Sequence, residues 1–171
     1  RFAATNVETA LAEISTQWKH KPSSSFMRNL GLTDRPTTMV VMGDSTGNDV
    51  VLIGSGPLLS KAIDAGKKLA EQGIKATVIN NPFINHVDIE TIGAAVKAAG
   101  GRVVTIEDHQ VVGGMGAQVS HALSRAGIAH RMTSLGIPGE FGQSAYLAEE
   151  LYKLHGLSAD KLVASALALV K

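Results

Sequence analysis

The sequence contains no cysteine. A disulfide framework, a thiolate metal site and a thiol nucleophile are therefore all excluded, and a reducing compartment is compatible with the chain. No apolar run approaches the roughly 20 residues needed to cross a bilayer, and no basic flank followed by an apolar stretch opens the chain, so it reads as soluble. Aromatic residues make up only 4% of the chain. Trp18 and its few companions form no stacking platform for single-stranded nucleic acid. Neither sign of charge is in excess: sixteen Lys and Arg face fifteen Asp and Glu, a formal net charge of +1, scattered without a basic block. Nothing in that balance points to nucleic acid. The six histidines, His20, His86, His109, His121, His130 and His155, never stand at i, i+2 or i, i+4 from one another, so no zinc site is expected.

What is present is 171 residues, 44% of them hydrophobic, enough for one compact α/β domain with a short extra segment. Thr5 and Glu8 have capping-box spacing, and Val7, Leu11, Ile14 and Trp18 recur on one helical face, which predicts a helix over residues 6–19. Ser25-Phe26-Met27-Arg28 reads as a short strand, residues 31–36 break the pattern, and residues 38–42 extend again. This front section has little to pack against on its own. Together with a first residue that is Arg1 rather than Met, it leads to the expectation of a truncated or cleaved chain carrying the tail of a preceding domain.

From residue 48 the pattern becomes alternating strand and helix. Val50-Val51-Leu52-Ile53, Ala76-Thr77-Val78-Ile79 and Val103-Val104-Thr105-Ile106 are continuous β-branched runs, as strands covered on both faces require, and residues 129–135 make a more polar strand suited to a sheet edge. Helices are expected after Pro57, after the N-cap Asp88, through Val119 to Ala126, through Leu147 to Leu154, and after the cap Ser158. The βα order implies a mainly parallel sheet flanked by helices.

Three segments have the composition of a site. Gly43-Asp44-Ser45-Thr46-Gly47 fits a G-x-S-x-G nucleophile elbow, but a strand follows it where a helix is required, so a turn is the better reading. Gly54-Ser55-Gly56-Pro57 joins a strand to a helix; it lacks the third glycine (Leu59 stands there) and the acidic residue of a dinucleotide fingerprint, and tight turning explains it. The richest segment is Glu107-Asp108-His109 leaving a strand, followed by Gly113, Gly114 and Gly116 at the next helix. Open α/β sheets place ligands at such strand ends. Strand alternation would point Glu107 and His109 one way and Asp108 the other. Two readings compete for it: an effector or interface loop, with one carboxylate capping the helix and the others in subunit contacts, or catalysis.

Residues 49–171 resemble the C-terminal domain of transketolases. The resemblance rests on Val51-Leu52-Ile53-Gly54-Ser55-Gly56, on Val78-Ile79-Asn80-Asn81-Pro82-Phe83, on Thr105-Ile106-Glu107-Asp108-His109 with Gly113-Gly114-Met115-Gly116, and on Gly136-Ile137-Pro138 with Phe141-Gly142-Gln143-Ser144. Related 1-deoxyxylulose-phosphate synthases and 2-oxoacid dehydrogenase beta subunits usually carry a second Glu at the place of Asp108, so Asp108-His109 favours transketolase. Residues 1–9 resemble the R-P-x-D-x-N-E-T segment late in the family's pyrimidine-binding domain, with Phe2 for proline and Ala4 for the acid. Phe26-Met27-Arg28 resembles the strand whose arginine helps to hold the sugar phosphate.

The resemblance implies a three-layer α/β/α domain with a mainly parallel five-stranded sheet over residues 48–171, and over residues 1–47 a remnant of the pyrimidine-binding domain plus linker. It implies a parent that transfers a two-carbon ketol unit between sugar phosphates in the cytoplasm, using thiamine diphosphate and Mg bound elsewhere. In this chain it implies Arg28 as a substrate-binding residue, no catalytic or metal-binding residue, no bound cofactor, and a homodimer partner or the missing N-terminal part as partner. A synthase or dehydrogenase parent, or a non-catalytic module binding an anion or a partner protein through residues 107–116, is the alternative.

Overall fold

The structure, a computed structural model, describes residues 38–43, 48–140 and 143–171. The expected helix 6–19, the strand with Arg28 and positions 44–47 of the G-x-S-x-G turn lie outside the described residues. The chain divides after Thr37, and the second unit is built on five strands: β1 (Met39–Met42), β2 (Val50–Gly54), β3 (Ala76–Asn80), β4 (Arg102–Gln110) and β5 (Arg131–Ile137), in the spatial order β1-β3-β2-β4-β5. Four run parallel; β1 alone is antiparallel, pairing Met39 with Asn80 and Val40 with Ile79.

Every residue of β2 is buried, because the central strand has a neighbour on each edge and a helical layer on each face. Val50 and Leu52 of β2, Val78 of β3, and Val104 and Ile106 of β4 share one core with Leu58, Ala62, Ala65, Leu69, Leu162, Ala166 and Leu169. Val51, Ile53, Ile79 and Val103, the alternate positions, share the other with Ile92, Val96, Met115, Val119 and Leu123. The period-two alternation thus builds two cores from one sheet. Helices α1 (Leu59–Ala70) and α5 (Ala159–Val170) cover the first face, and α2 (Ile89–Ala98) and α3 (Met115–Arg125) the second. The expected α/β/α layering is what is found.

The local signals act as the sequence suggests in several places. Asp88 caps α2, accepting from the Thr91 amide at 3.0 Å, and Ser158 caps α5, accepting from Lys161 at 3.2 Å. Pro57 sits in a 3-10 turn, Gly56–Leu58, that feeds α1. Among the described residues no helix is long and apolar enough to cross a membrane.

Two boundaries differ from the sequence reading. Residues 39–42, read as extended but placed in the segment ahead of a domain starting at 48, pair with β3 and form that edge of the sheet. Residues 107–110, read as the start of a loop, continue β4, with Gln110 opposite Ile137 beyond a register shift after Ile106. Polar residues stay in a strand here because β5 runs on beside them and supplies the ladder. The short helix α4 (Ala148–Leu154) buries none of its residues, and Leu147 and Leu154 are largely exposed.

Candidate functional site

The C-terminal ends of β4 and β5, the glycine turn that follows β4, and α4 surround the segment singled out by its composition. Glu107 is 1% exposed. Its carboxylate accepts from the Met115 amide at 2.5 Å through Oε2 and from the Gly116 amide at 2.9 Å through Oε1. Helix α3 begins at Gly114, which has no side chain to cap it. Glu107 therefore supplies from the neighbouring strand what the N-cap residue lacks, satisfying two amides that the helix leaves without internal partners and placing negative charge at the positive end of its dipole.

Each glycine of the turn has its own steric reason. Gly113 has φ +77° in open space, a left-handed position. A Cβ on Gly114 would run into the Gln110 carbonyl and the Glu107 carboxylate, and one on Gly116 would meet the Ser134 hydroxyl and lie 2.6 Å from Thr105 Oγ1. The N-terminus of α3 is pressed onto β4 and β5 at that point. Among the described residues, Thr105 Oγ1 is the only buried side-chain polar atom without a hydrogen-bond partner.

Asp108 goes to the opposite face, as alternation requires, where the Tyr152 phenol of α4 donates to its Oδ2 at 3.2 Å. Burial in the first place, then the Asp108 charge and this hydrogen bond, then Glu149, hold the Tyr152 phenol above its ordinary pKa. His109 does not join Glu107: it is exposed, with Nδ1 3.2 Å from the Gln110 carbonyl oxygen. Strand alternation leads to the expectation that Glu107 and His109 face one way; Glu107 is buried under the start of α3, His109 is exposed, and among the described residues no hydrogen bond joins them. Gln110 fastens the next loop, accepting from the Gly139 amide at 2.8 Å and donating to the Glu140 carbonyl at 3.2 Å.

Glu107, Asp108 and His109 are thus adjacent in sequence but spread over three environments, and they form no acid/base pair. Gln110, Tyr152 and His155, which line or fasten the strand-end region with Asp108, carried no local signal in the sequence; their roles come from the pairing of β4 with β5 and the packing of α4. Among the described residues no group of three His, Asp or Glu side chains is placed to hold a metal ion. The amides that would cradle a diphosphate at a glycine turn and helix N-terminus are taken by Glu107. This glycine turn therefore does not fit the diphosphate of thiamine diphosphate.

Residues 40–162 match the family model described as "Transketolase, C-terminal domain". The chain is 34% identical over 116 residues to a protein of Methanocaldococcus jannaschii described as a transketolase C-terminal section, covering 68% of this chain and 35% of that protein. It is 37% identical over 119 residues to the 1-deoxy-D-xylulose-5-phosphate synthase of Carboxydothermus hydrogenoformans, covering 68% and 18%. Among solved structures it resembles a split gene transketolase in an inactive beta4 tetramer, with TM-score 0.69 and 29% identity over 78% of this chain and 42% of that one. The chain spans less than half the length of each of these relatives. On the family match over most of its length and on the sheet order and glycine turn found within it, the chain belongs to the transketolase C-terminal domain family.

Proposed function

We propose that the chain is the C-terminal section of a transketolase whose cytoplasmic parent transfers a two-carbon ketol unit between sugar phosphates, and that the section itself serves assembly and scaffolding. The observation that carries this reading is the Glu107 cap: the place where an open α/β sheet usually receives an anion is filled by the domain's own carboxylate. Thiamine diphosphate and Mg, which supply the difficult chemistry in this reading, belong to sites outside this domain, so the section alone has no turnover. Residues ahead of β1 are the tail of the pyrimidine-binding domain, and Arg28 is the substrate-binding residue left on it. The working partner is the rest of the enzyme, on one chain or two, or a second copy. A relative described as a C-terminal section and a split-gene structural neighbour support the two-chain form.

A deoxyxylulose-phosphate synthase parent is the second reading, supported by the 37% identical synthase. The Glu107 cap on the Met115 and Gly116 amides weighs against the anion-binding module. A ketol-transfer assay with sugar phosphates, thiamine diphosphate and Mg tests the proposal: no turnover is expected from the chain alone, and turnover with sugar phosphates, not with pyruvate, once the complementary catalytic part is added. Turnover by the chain alone would overturn the scaffold role; turnover only with pyruvate would move the parent to the synthases.

A further inference from the structure

Farther along α3 from the Glu107 cap, a serine faces a histidine. Ser120 Oγ lies 3.0 Å from His130 Nε2, and the other ring nitrogen, Nδ1, lies 2.9 Å from the Ile128 carbonyl oxygen. A carbonyl oxygen only accepts, so Nδ1 carries the proton of the neutral ring and the lone pair of Nε2 is left for the Ser120 hydroxyl. We propose that Ser120 is an activated nucleophile, with His130 as its general base, and that it takes one acyl group per chain from an activated carboxylic ester.

The pair stands on a rigid mount. Helix α3 ends in a Schellman turn, in which Gly127, at φ +66°, donates to the Ser124 carbonyl at 3.0 Å and Ile128 donates to the Leu123 carbonyl at 2.9 Å. That turn sets the direction of the Ile128 carbonyl, and the carbonyl in turn sets the tautomer of His130. Just past the imidazole, the Arg131 amide donates to the Gly101 carbonyl at 2.8 Å and ties the segment to the start of β4. A helical serine commonly returns its hydroxyl to the carbonyl four residues back; that of Ser120 is directed at Nε2. Both side chains are half-buried, which leaves the pair partly open to a small reagent.

A hydroxyl within hydrogen-bond reach of a base that a third group orients is the arrangement of serine acyl transfer. In the step proposed, Ser120 Oγ attacks the acyl carbon while its proton passes to His130 Nε2. The bond from that carbon to the leaving oxygen then breaks, the oxygen departs as an anion, and the imidazolium returns its extra proton to water. The orienting group here is a neutral carbonyl, which supports an imidazolium less than a carboxylate does, so the donor needs a good leaving group, as an aryl ester has.

Incubation of the full chain with p-nitrophenyl acetate, followed by tandem mass spectrometry of its peptides, tests this. Ser124, exposed on the same helix, is the internal reference, since His130 bonds Ser120. Ser120 is expected to gain a hydroxylamine-sensitive acetyl ester at least about a hundredfold faster than Ser124, the lower end of what a positioned general base contributes. His130→Gln keeps a hydrogen-bonding side chain but supplies no base, and it should lower that ratio by about the same factor. Far-ultraviolet circular dichroism checks that the variant folds; if it does not, the ratio in the unmodified chain carries the test. Equal acetylation of Ser120 and Ser124, or a ratio unchanged in folded His130→Gln, overturns the proposal. The scaffold reading stands or falls separately, since neither sugar phosphate nor thiamine diphosphate enters this experiment.

Discussion

At the scale of single residues, Glu107 has the largest role for its size. Removing it strands the Met115 and Gly116 amides at a buried helix end. Glu107→Ala is expected to lower stability by about 2–3 kcal/mol, and Glu107→Gln by less, because the amide oxygen still accepts one of the two bonds. Urea unfolding measures both. Equal stability of the alanine variant and the unmodified chain would contradict the capping role. Gly116→Ala drives a methyl group into the Thr105 and Ser134 hydroxyls, at an expected cost of about 1–3 kcal/mol by the same measurement.

Tyr152 gives a pH dependence whose sign follows from its surroundings. Its phenol is held above its ordinary pKa, chiefly by burial and then by Asp108. A group with a raised folded pKa contributes stability that is complete below its unfolded pKa and disappears as pH rises through the folded one. Stability should therefore decline above about pH 10, the ordinary tyrosine value, and Tyr152→Phe should flatten part of that decline. An alkaline limb unchanged in Tyr152→Phe would remove Tyr152 as its cause. The sequence offered helix capping for one of the two carboxylates without choosing between Glu107 and Asp108, since a carboxylate before a glycine-opened helix has that option. It could not show Tyr152 reaching Asp108, 44 positions away, because nothing local encodes the packing of α4.

At the scale of elements, continuous β-branched runs were legible, and with them β2, β3 and the first half of β4. The polar edge strand β5 was legible too, within two residues of its bounds, whereas the pairing of β1 and the polar end of β4 were not. Met39–Met42 reads as extended between turn-forming residues, but nothing local shows that it joins the sheet, which it does along the open edge of β3. Residues 107–110 stay extended through their pairing with β5. Tertiary partners decide such segments, and strand propensity is only a weak guide to them. The boundary has a testable consequence. A chain starting at residue 38 keeps β1, whereas one starting at residue 48 exposes the edge of β3, a template for unwanted pairing. The shorter chain is expected to aggregate at lower concentration and melt earlier, as light scattering and thermal unfolding would show; equal behaviour of the two would mean that β1 contributes little to the sheet.

At the scale of the whole molecule, the family match covers residues 40–162, and the sheet order and glycine turn lie within it. Two cores lie one on each side of a five-stranded sheet, and the start of α3 is capped by the domain's own Glu107. The sequence conveyed this architecture because the transketolase-like motifs are spaced along it. Alternation set Asp108 opposite Glu107, whereas the partners each side chain meets, on α3 and α4, are encoded by no local residue pattern.

The proposed scaffold role, with the β4–α3 anion position taken by Glu107, predicts that the chain alone binds no thiamine diphosphate. Calorimetric titration of the chain with thiamine diphosphate and Mg tests this most directly. No saturable heat is expected; clear saturable binding of the cofactor to this chain alone would contradict the scaffold reading.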